Sequence, residues 1–143
     1  MSVRHLLFIL ITSILLPVVT FAAGNSSDYN YISAPALEAR LTAKEAIHLV
    51  DIQVEEEFNQ HHISGATATY AFPVKSDADK EKLQSVLTAI KADSAPVVII
   101  CPRGAGGATR TYDYLLSQGL PAERLAILEK GQAGWSCSAL TEG

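Results

Sequence analysis

The sequence predicts an α/β domain built on a mostly parallel central sheet of about five strands, with helices on both faces. Three short runs are almost wholly apolar and have the length of buried strands, at residues 47–52, 96–100 and 125–128. Two longer segments with apolar residues at helical spacing lie between these runs, at residues 76–92 and 107–118. Strands that alternate with helices pair in parallel, because each helix carries the chain back across the sheet.

The first half of the domain contains shorter elements. Residues 29–32 are predicted to form an edge strand, and Ser33 can cap a short helix that has Pro35 in its first turn and Leu37 and Leu41 on one face. Three elements follow in order, namely a buried strand at 47–52, one helical turn at 55–58 and a short strand at 67–70.

The second half contains the clearest helix, at residues 76–92, where Ser76 and Asp79 have the spacing of a capping box. Its apolar face comprises Leu83, Val86, Leu87 and Ile90. The strand at 96–100 and the helix at 107–118 come next, and Gly119 with Pro121 ends that helix. This helix is expected to bury Ala108, Tyr112, Leu115 and Leu116.

The first 22 residues have the pattern of a secretory signal peptide. Arg4 precedes an apolar run at 6–19 that is short for a membrane span, and cleavage is expected after Ala22. An uncleaved anchor is the alternative. No cysteine lies near the cleavage point, so a lipidated N-terminus is not indicated. The predicted organisation is a signal at 1–22, a flexible segment at 23–28 and one domain at 29–143, exported to the periplasm or the extracellular space and free of the membrane after cleavage.

The charge balance narrows the range of partners. The chain carries 11 basic and 15 acidic residues, a net charge of −4, and loss of Arg4 with the signal leaves a net charge of −5. No basic patch is visible that could neutralise phosphates, so nucleic acid is not an expected partner.

Cys101 is the strongest candidate for a reactive residue. It follows the buried strand at 96–100 and opens a glycine-rich stretch that leads into the helix at 107–118. The strand holds the sulfur rigidly, the loop can turn backbone N–H groups inward, and the helix brings its positive end to the same place. This combination is typical of a cysteine thiolate that acts as an accessible nucleophile.

Three motifs resemble the rhodanese domain family over nearly the whole mature chain. The first runs from Leu49-Val50-Asp51-Ile52-Gln53 through Glu57-Phe58 to His62-Ile63-Ser64-Gly65-Ala66. The second is the loop at 101–107, in the place of the family's active-site loop, and the third is the closing segment at 128–135, with Gly131 and Trp135. The resemblance implies a single rhodanese-like domain.

The resemblance further implies a sulfurtransferase without a cofactor or a metal. Cys101 would take sulfane sulfur from a small anionic donor, either thiosulfate-like or a polysulfide, and pass it as a persulfide to cyanide or to a thiol, small or on a protein. The substrate-binding loop would comprise Pro102, Arg103, Gly104, Ala105, Gly106 and Gly107. Its N–H groups from residues 103–107 are expected to converge on the donor, whereas Pro102 has no N–H to offer.

The loop and the aspartate motif depart from the family pattern. Many active members carry a basic residue and then a small hydroxyl residue where this chain has Gly106 and Gly107, so Arg103 is the expected anion contact and a larger donor becomes plausible. Arg110 is expected to be a surface residue. Gln53 replaces an arginine, so Asp51 is interpreted as structural, accepting backbone hydrogen bonds from the segment around His62.

The supporting residues are expected to be structural. His62 would tether the Asp51 loop, Gly65 and Gly131 would form turns, and Trp135 would pack in the core. His61 is expected to be solvated. A metal site is not expected, because adjacent histidine side chains diverge and no paired ligand spacing accompanies them. Tyr70 and Phe72 are expected to close the core at the same edge.

Other chemistries remain open to different degrees. A cysteine phosphatase or arsenate reductase needs an arginine six residues after the nucleophile, and position 107 is glycine. Cys137 could act as a resolving thiol in a disulfide relay, or form a structural disulfide with Cys101. A binding module without turnover is a further alternative. Selenium or tellurium compounds are a speculative class of substrate.

Overall fold

The computed structural model describes residues 28–143. The predicted signal at 1–22 and nearly all of the predicted segment at 23–28 lie outside the described residues. No helix within 28–143 combines the length and apolar character that a membrane crossing requires.

Seven strands occur in the described residues. In chain order they are β1 (Tyr31–Ile32), β2 (His48–Asp51), β3 (His62–Ile63), β4 (Thr67–Ala68), β5 (Val97–Ile100), β6 (Leu125–Leu128) and β7 (Thr141–Glu142). Five of them form one sheet in the order β1-β6-β5-β2-β4, in which every pair is parallel. The remaining two, β3 and β7, pair antiparallel. The predicted α/β class and five-stranded parallel sheet are therefore confirmed.

The helices connect these strands. They are α1 (Ala34–Thr42), α2 (Glu55–Gln60), α3 (Asp77–Lys82), α4 (Gln84–Lys91) and α5 (Gly106–Ser117), with short 3-10 turns at Ala122–Arg124, Gln132–Gly134 and Ser138–Leu140. Ser76 and Asp79 form the predicted capping box at the start of α3. Such a cap stabilises a helix start by about 1 kcal/mol.

Two details of the predicted helices were wrong. The single helix expected at 76–92 is divided at Leu83, whose N–H donates to the carbonyl of Lys80, 3.0 Å away. The division turns Leu83 fully into the core while α3 buries no residue, so α3 and α4 meet the sheet differently. Leu116 was expected to be buried but is 38% exposed, because Leu115 occupies the centre of the buried face and the next residue points about 100° away.

Alternating residues of the strands build two cores, one on each face of the sheet. The first core contains Val97, Ile99 and Cys101 and is covered by Leu83 and by side chains of α4 and α5. The second contains Val98 and Ile100 and is covered by Leu37 of α1, Ile63, Trp135 and the C-terminal segment. The alternation continues past the end of β5, so the Cys101 side chain belongs to the first core.

Candidate functional site

Cys101 lies at the carboxyl edge of the sheet, directly after β5. Its sulfur accepts a hydrogen bond from the N–H of Gly104, with a nitrogen to sulfur distance of 2.8 Å. The 12-residue helix α5 begins at Gly106, and no side chain caps its first turn. The first amides of a helix lack partners within the helix and carry partial positive charge. The Cys101 sulfur therefore has one direct backbone N–H donor and lies in the loop that leads into this helix start.

Two glycines with positive φ close the loop by backbone contact. Gly104 has φ +69° and Gly131 has φ +58°, a region that residues with a Cβ rarely adopt. A Cβ placed on Gly131 would lie 2.1 Å from the Cys101 carbonyl oxygen and 2.5 Å from the Gly104 nitrogen. The Cys101 carbonyl also accepts the N–H of Gln132 at 2.8 Å. Only a glycine allows the turn after β6 to approach the nucleophile loop this closely.

The other loop residues divide into buried and exposed positions. Pro102 and Gly107 are buried, and Arg103, Ala105 and Gly106 are exposed. A Cβ on Gly107 would lie 3.0 Å from the ring of Phe72, so this ring fills the space that a side chain would need. The loop is therefore packed against the core at both ends and meets solvent in its middle.

Two arginines bring positive charge to the loop. Arg103 is exposed, and no carboxylate within residues 28–143 forms an ion pair with it. Arg110 was expected to be a surface residue, which was wrong. Its Nε and one terminal nitrogen donate to the Pro73 carbonyl at 3.0 and 2.8 Å, and the other terminal nitrogen lies 2.9 Å from the Cβ position of Gly106. Arg110 therefore brings a second positive charge to the loop, beside Gly106.

The chain matches the model of the rhodanese-like domain over residues 33–137. It belongs to the rhodanese-like domain family. This fold is associated with sulfurtransferases, although many members of the family are not catalytic. No protein with a curated description matches the chain.

Solved structures of rhodanese-like domains resemble about four-fifths of this chain. The rhodanese-like domain of an Anabaena protein is 21% identical, with a TM-score of 0.59 over 79% of this chain and 78% of that chain. A rhodanese-like domain protein from Staphylococcus aureus is 20% identical, with a TM-score of 0.58 over 80% and 98%. A thiosulfate sulfurtransferase from Pseudomonas aeruginosa is 17% identical, with a TM-score of 0.58 over 80% of this chain but only 19% of that one. At such identities the likeness shows the fold alone.

Asp51 ends the neighbouring strand of the rhodanese-like sheet and is fully buried. The prediction that Asp51 accepts hydrogen bonds from the segment around His62 was wrong. Asp51 Oδ1 accepts the N–H of Gln53 at 2.8 Å, and Oδ2 has no donor among the described residues. Burial raises the pKa of Asp51 to about 7, opposed by the hydrogen bond from Gln53. The Asp51 carbonyl accepts both the N–H and the hydroxyl of Thr69, so the residue holds the start of the next segment.

His62 was expected to tether the Asp51 loop, and this was wrong. Its Nδ1 lies 2.7 Å from the Phe58 carbonyl, its ring stacks on Phe58 at 3.8 Å, and its Nε2 lies 3.6 Å from Glu142. It therefore links α2 to the C-terminal strand β7. Gly65 has φ +81° in the exposed turn that follows β3.

His61 was expected to be solvated. It is exposed, but its Nδ1 lies 2.8 Å from Nε2 of Gln132. No group of three or more potential metal ligands occurs in the part of the chain that the structure describes.

Cys137 and Trp135 lie on the second core, on the face of the sheet opposite to Cys101. Both cysteines are free thiols. Trp135 is 4% exposed, and its indole N–H donates to the Thr141 hydroxyl at 3.2 Å. With the sheet between the two sulfurs, neither a structural disulfide nor a direct resolving role for Cys137 fits this arrangement.

The expectation of an accessible thiol was wrong for the conformation described. Cys101 is only 2% exposed, because the loop and the first core enclose its side chain. The open space lies next to the loop, in a cavity of about 280 Å³ whose lining includes Pro102 and Arg103. Residues that sequence reasoning did not select as site residues, among them Glu57 and Gln132, also line this cavity. Gln132 could have been found from its position directly after Gly131 in the closing motif.

Proposed function

We propose that this rhodanese-like domain is a sulfurtransferase that carries sulfane sulfur as a persulfide on Cys101. The donor is a small anion, either thiosulfate-like or a polysulfide, and the acceptor is a thiol or cyanide. The observation that carries the proposal is the 2.8 Å hydrogen bond from the Gly104 N–H to the Cys101 sulfur, beside the uncapped start of α5. A buried thiol kept only for packing has no need of a backbone donor and a helix start.

The chemistry divides into two displacements at sulfur. With thiosulfate, the Cys101 thiolate forms a bond to the outer sulfur, the sulfur–sulfur bond of the donor breaks, and its electron pair leaves with sulfite. The persulfide then loses its outer sulfur to an acceptor thiolate, and the electron pair of the broken bond returns to Cys101. No external oxidant or reductant is needed in either step.

The loop amides and arginines suit an anionic donor. Gly104 donates to the sulfur, the first amides of α5 face no capping side chain, and Arg103 and Arg110 lie along the loop. Because Cys101 is 2% exposed, the donor can reach the sulfur only when the middle of the loop moves outward. The exposed glycine at 106 makes that movement inexpensive, since it holds no side chain in the core.

We also propose that the protein acts outside the cytoplasm, after removal of residues 1–22. This rests on the apolar run at 6–19 between Arg4 and the small residues at 22–23. Fractionation of cells that express the full chain should place the protein in the periplasm or medium, with a mature N-terminus near Ala23. Retention of the intact N-terminus in the cytoplasm would refute export.

The persulfide can be detected by mass. After incubation of the mature protein with thiosulfate or inorganic polysulfide, intact mass spectrometry should show the addition of one sulfur atom. Cys101→Ser should show no addition, whereas Cys137→Ser should load and turn over like the wild type, because Cys137 lies on the other face of the sheet. A failure of every sulfane donor to add sulfur would remove the transferase proposal. Loss of turnover in Cys137→Ser alone would favour a relay.

A further inference from the structure

The cavity beside the Cys101 loop has the size of a small-molecule site. Its volume is about 280 Å³, and its lining includes Gln53, Glu57, His61, Arg103, Gln132 and Trp135. Pockets for drug-sized ligands start at about 300 Å³. The space therefore suits a molecule of a few heavy atoms better than a segment of a partner protein.

Backbone hydrogen bonds join residues that line the cavity to the loop that carries Cys101. The N–H of Gln132 donates to the Cys101 carbonyl at 2.8 Å, and the N–H of Ala133 donates to the Pro102 carbonyl at 3.0 Å. Pro102 and Arg103 line the cavity themselves. A ligand held here lies next to the loop that must move to uncover the sulfur.

Three side chains of the cavity contain oxygen atoms that lack a hydrogen-bond donor. These atoms are Oε1 of Gln53, Oε2 of Glu57 and Oε1 of Gln132, and each is shielded from solvent. Gln53 and Gln132 are only 4% and 3% exposed. More than nine in ten buried polar groups in proteins have a partner, because an unsatisfied one costs about 1 to 3 kcal/mol. Three orphaned acceptors on side chains that line one cavity mark a place where a ligand can supply the donors once these side chains turn toward it.

The orientation of Gln132 strengthens this reading of the cavity. Its Nε2 donates to Nδ1 of His61 at 2.8 Å, so its Oε1 remains the acceptor. Glu57 adds a carboxylate, so the missing donor group is best matched by a cation such as a primary ammonium group. Arg103, which has no ion pair with any residue of 28–143, lines the same cavity and matches a carboxylate.

We infer that this cavity binds an α-amino-acid thiol, such as free cysteine, as the acceptor of the persulfide sulfur. Its ammonium group would meet Glu57 and the two glutamine oxygens, and its carboxylate would meet Arg103. The role of the bound thiol as a sulfur acceptor rests on the transfer reaction proposed above. In that step the acceptor thiolate bonds to the outer sulfur of the Cys101 persulfide, the old sulfur–sulfur bond breaks, and Cys101 regains its thiolate as the amino-acid persulfide leaves.

Acceptor kinetics test the inference on protein that has first been loaded with sulfur and checked by mass. Cysteine, cysteamine, 3-mercaptopropionate and 2-mercaptoethanol are compared at matched thiolate concentration. Cysteine should exceed 2-mercaptoethanol in kcat/KM by tenfold or more, with cysteamine and 3-mercaptopropionate between them. Each charge-assisted contact is expected to contribute up to about tenfold. Equal kcat/KM for all four thiols would overturn the inference.

Two glutamates of α2 provide a matched pair of variants. Glu57 lines the cavity, whereas Glu56 is exposed and does not line it. Glu57→Gln should lower the ratio of kcat/KM for cysteine over 2-mercaptoethanol by about tenfold, and Glu56→Gln should leave that ratio unchanged. Equal effects of the two substitutions would mean that only the overall charge of the helix matters, and would overturn the proposed ammonium contact.

A binding measurement separates this inference from the transfer reaction. S-methylcysteine has no free thiol and cannot accept sulfur, so its binding is independent of any turnover. NMR titration of the wild type should give saturable shifts at the Gln132 amide, and Glu57→Gln should weaken the binding about tenfold. If no donor loads Cys101 but this titration saturates, the transferase proposal fails and the amino-acid site stands. If sulfur loads but S-methylcysteine does not bind, the site proposed here fails.

Discussion

The ends of β2 and β5 lie side by side at one edge of the sheet, because Asp51 pairs with Ile100 and Cys101 follows directly. Each strand ends in a buried group that can carry a negative charge. At Cys101 the sulfur accepts the N–H of Gly104 at 2.8 Å. At Asp51 one oxygen accepts the N–H of Gln53, but the other has no donor among residues 28–143, and burial raises the pKa of Asp51 to about 7.

Burial is the main cause of the raised pKa of Asp51, and the helices that follow the two strands add to the difference. The first turn of α2 carries Glu55, Glu56 and Glu57, and the charge of Glu57 contributes to the raised pKa of Asp51. The first turn of α5 has no acidic residue and begins with two glycines. A helix start favours an anion only when its partial positive charge is not already compensated. The two neighbouring strand ends therefore differ in the charge that their following helices present, in addition to the burial of Asp51.

The largest expected effect comes from Gly131→Ala. This substitution disrupts the close backbone approach of Gly131 to the Cys101 carbonyl, which distinguishes the Cys101 strand end from the Asp51 strand end. Its Cβ would lie 2.1 Å from the Cys101 carbonyl oxygen at φ +58°, so the strand end or the turn must move. We expect a loss of about 3 to 5 kcal/mol in the free energy of unfolding, measured by urea denaturation.

Gly119→Ala is the matched control for this substitution. Gly119 also has positive φ, +89°, but nothing lies within 4 Å of its Cβ position. It should lose only about 1 to 2 kcal/mol, the cost of the backbone conformation alone. Equal losses at the two positions would show that the approach of Gly131 to Cys101 has no energetic role.

Asp51→Asn tests the other strand end. Burial raises the pKa of Asp51 to about 7. Between about pH 4 and 7, the native protein therefore keeps a proton on Asp51 that the unfolded chain has already released. The stabilising contribution of this group is complete below that window and is lost as the pH rises to 7. The variant does not titrate there, so its stability relative to the wild type should rise with pH, by at most about 4 kcal/mol at about 1.4 kcal/mol per pH unit.

Urea denaturation at several values between pH 4 and 8 measures this trend. Glu129→Gln removes an exposed carboxylate and should give a profile parallel to that of the wild type. A constant or shrinking advantage of Asp51→Asn with rising pH would show that the carboxylate is already satisfied in the native state.

The sequence predicted the central strands and the position of Cys101 because those features depend on local composition. Val97–Ile100 is wholly apolar, and a glycine-rich loop directly follows it. The edge elements were less predictable, since β3 and β7 are two residues long and pair His62 with Glu142, far apart in the chain. The burial of the thiol, the hydrogen bonds of Arg110 and the cavity around Gln132 depend on which distant segments meet, which residue patterns do not specify.

The smallest expected effect tests whether the start of α5, which has no acidic residue in its first turn, is what distinguishes Cys101 from Asp51. Ala105 is the exposed N-cap residue and offers no side-chain acceptor. In Ala105→Asp the new carboxylate should bond to the first-turn amides, raise Tm slightly and repel an anionic donor. We expect about tenfold slower sulfur loading from thiosulfate at low salt, measured by mass against time, and a smaller effect at high salt. Ala105→Asn caps the same amides without charge and should slow loading only about twofold. If both variants load at the wild-type rate, the start of α5 does not meet the donor, and the contrast between the two strand ends must come from the Gly104 N–H alone.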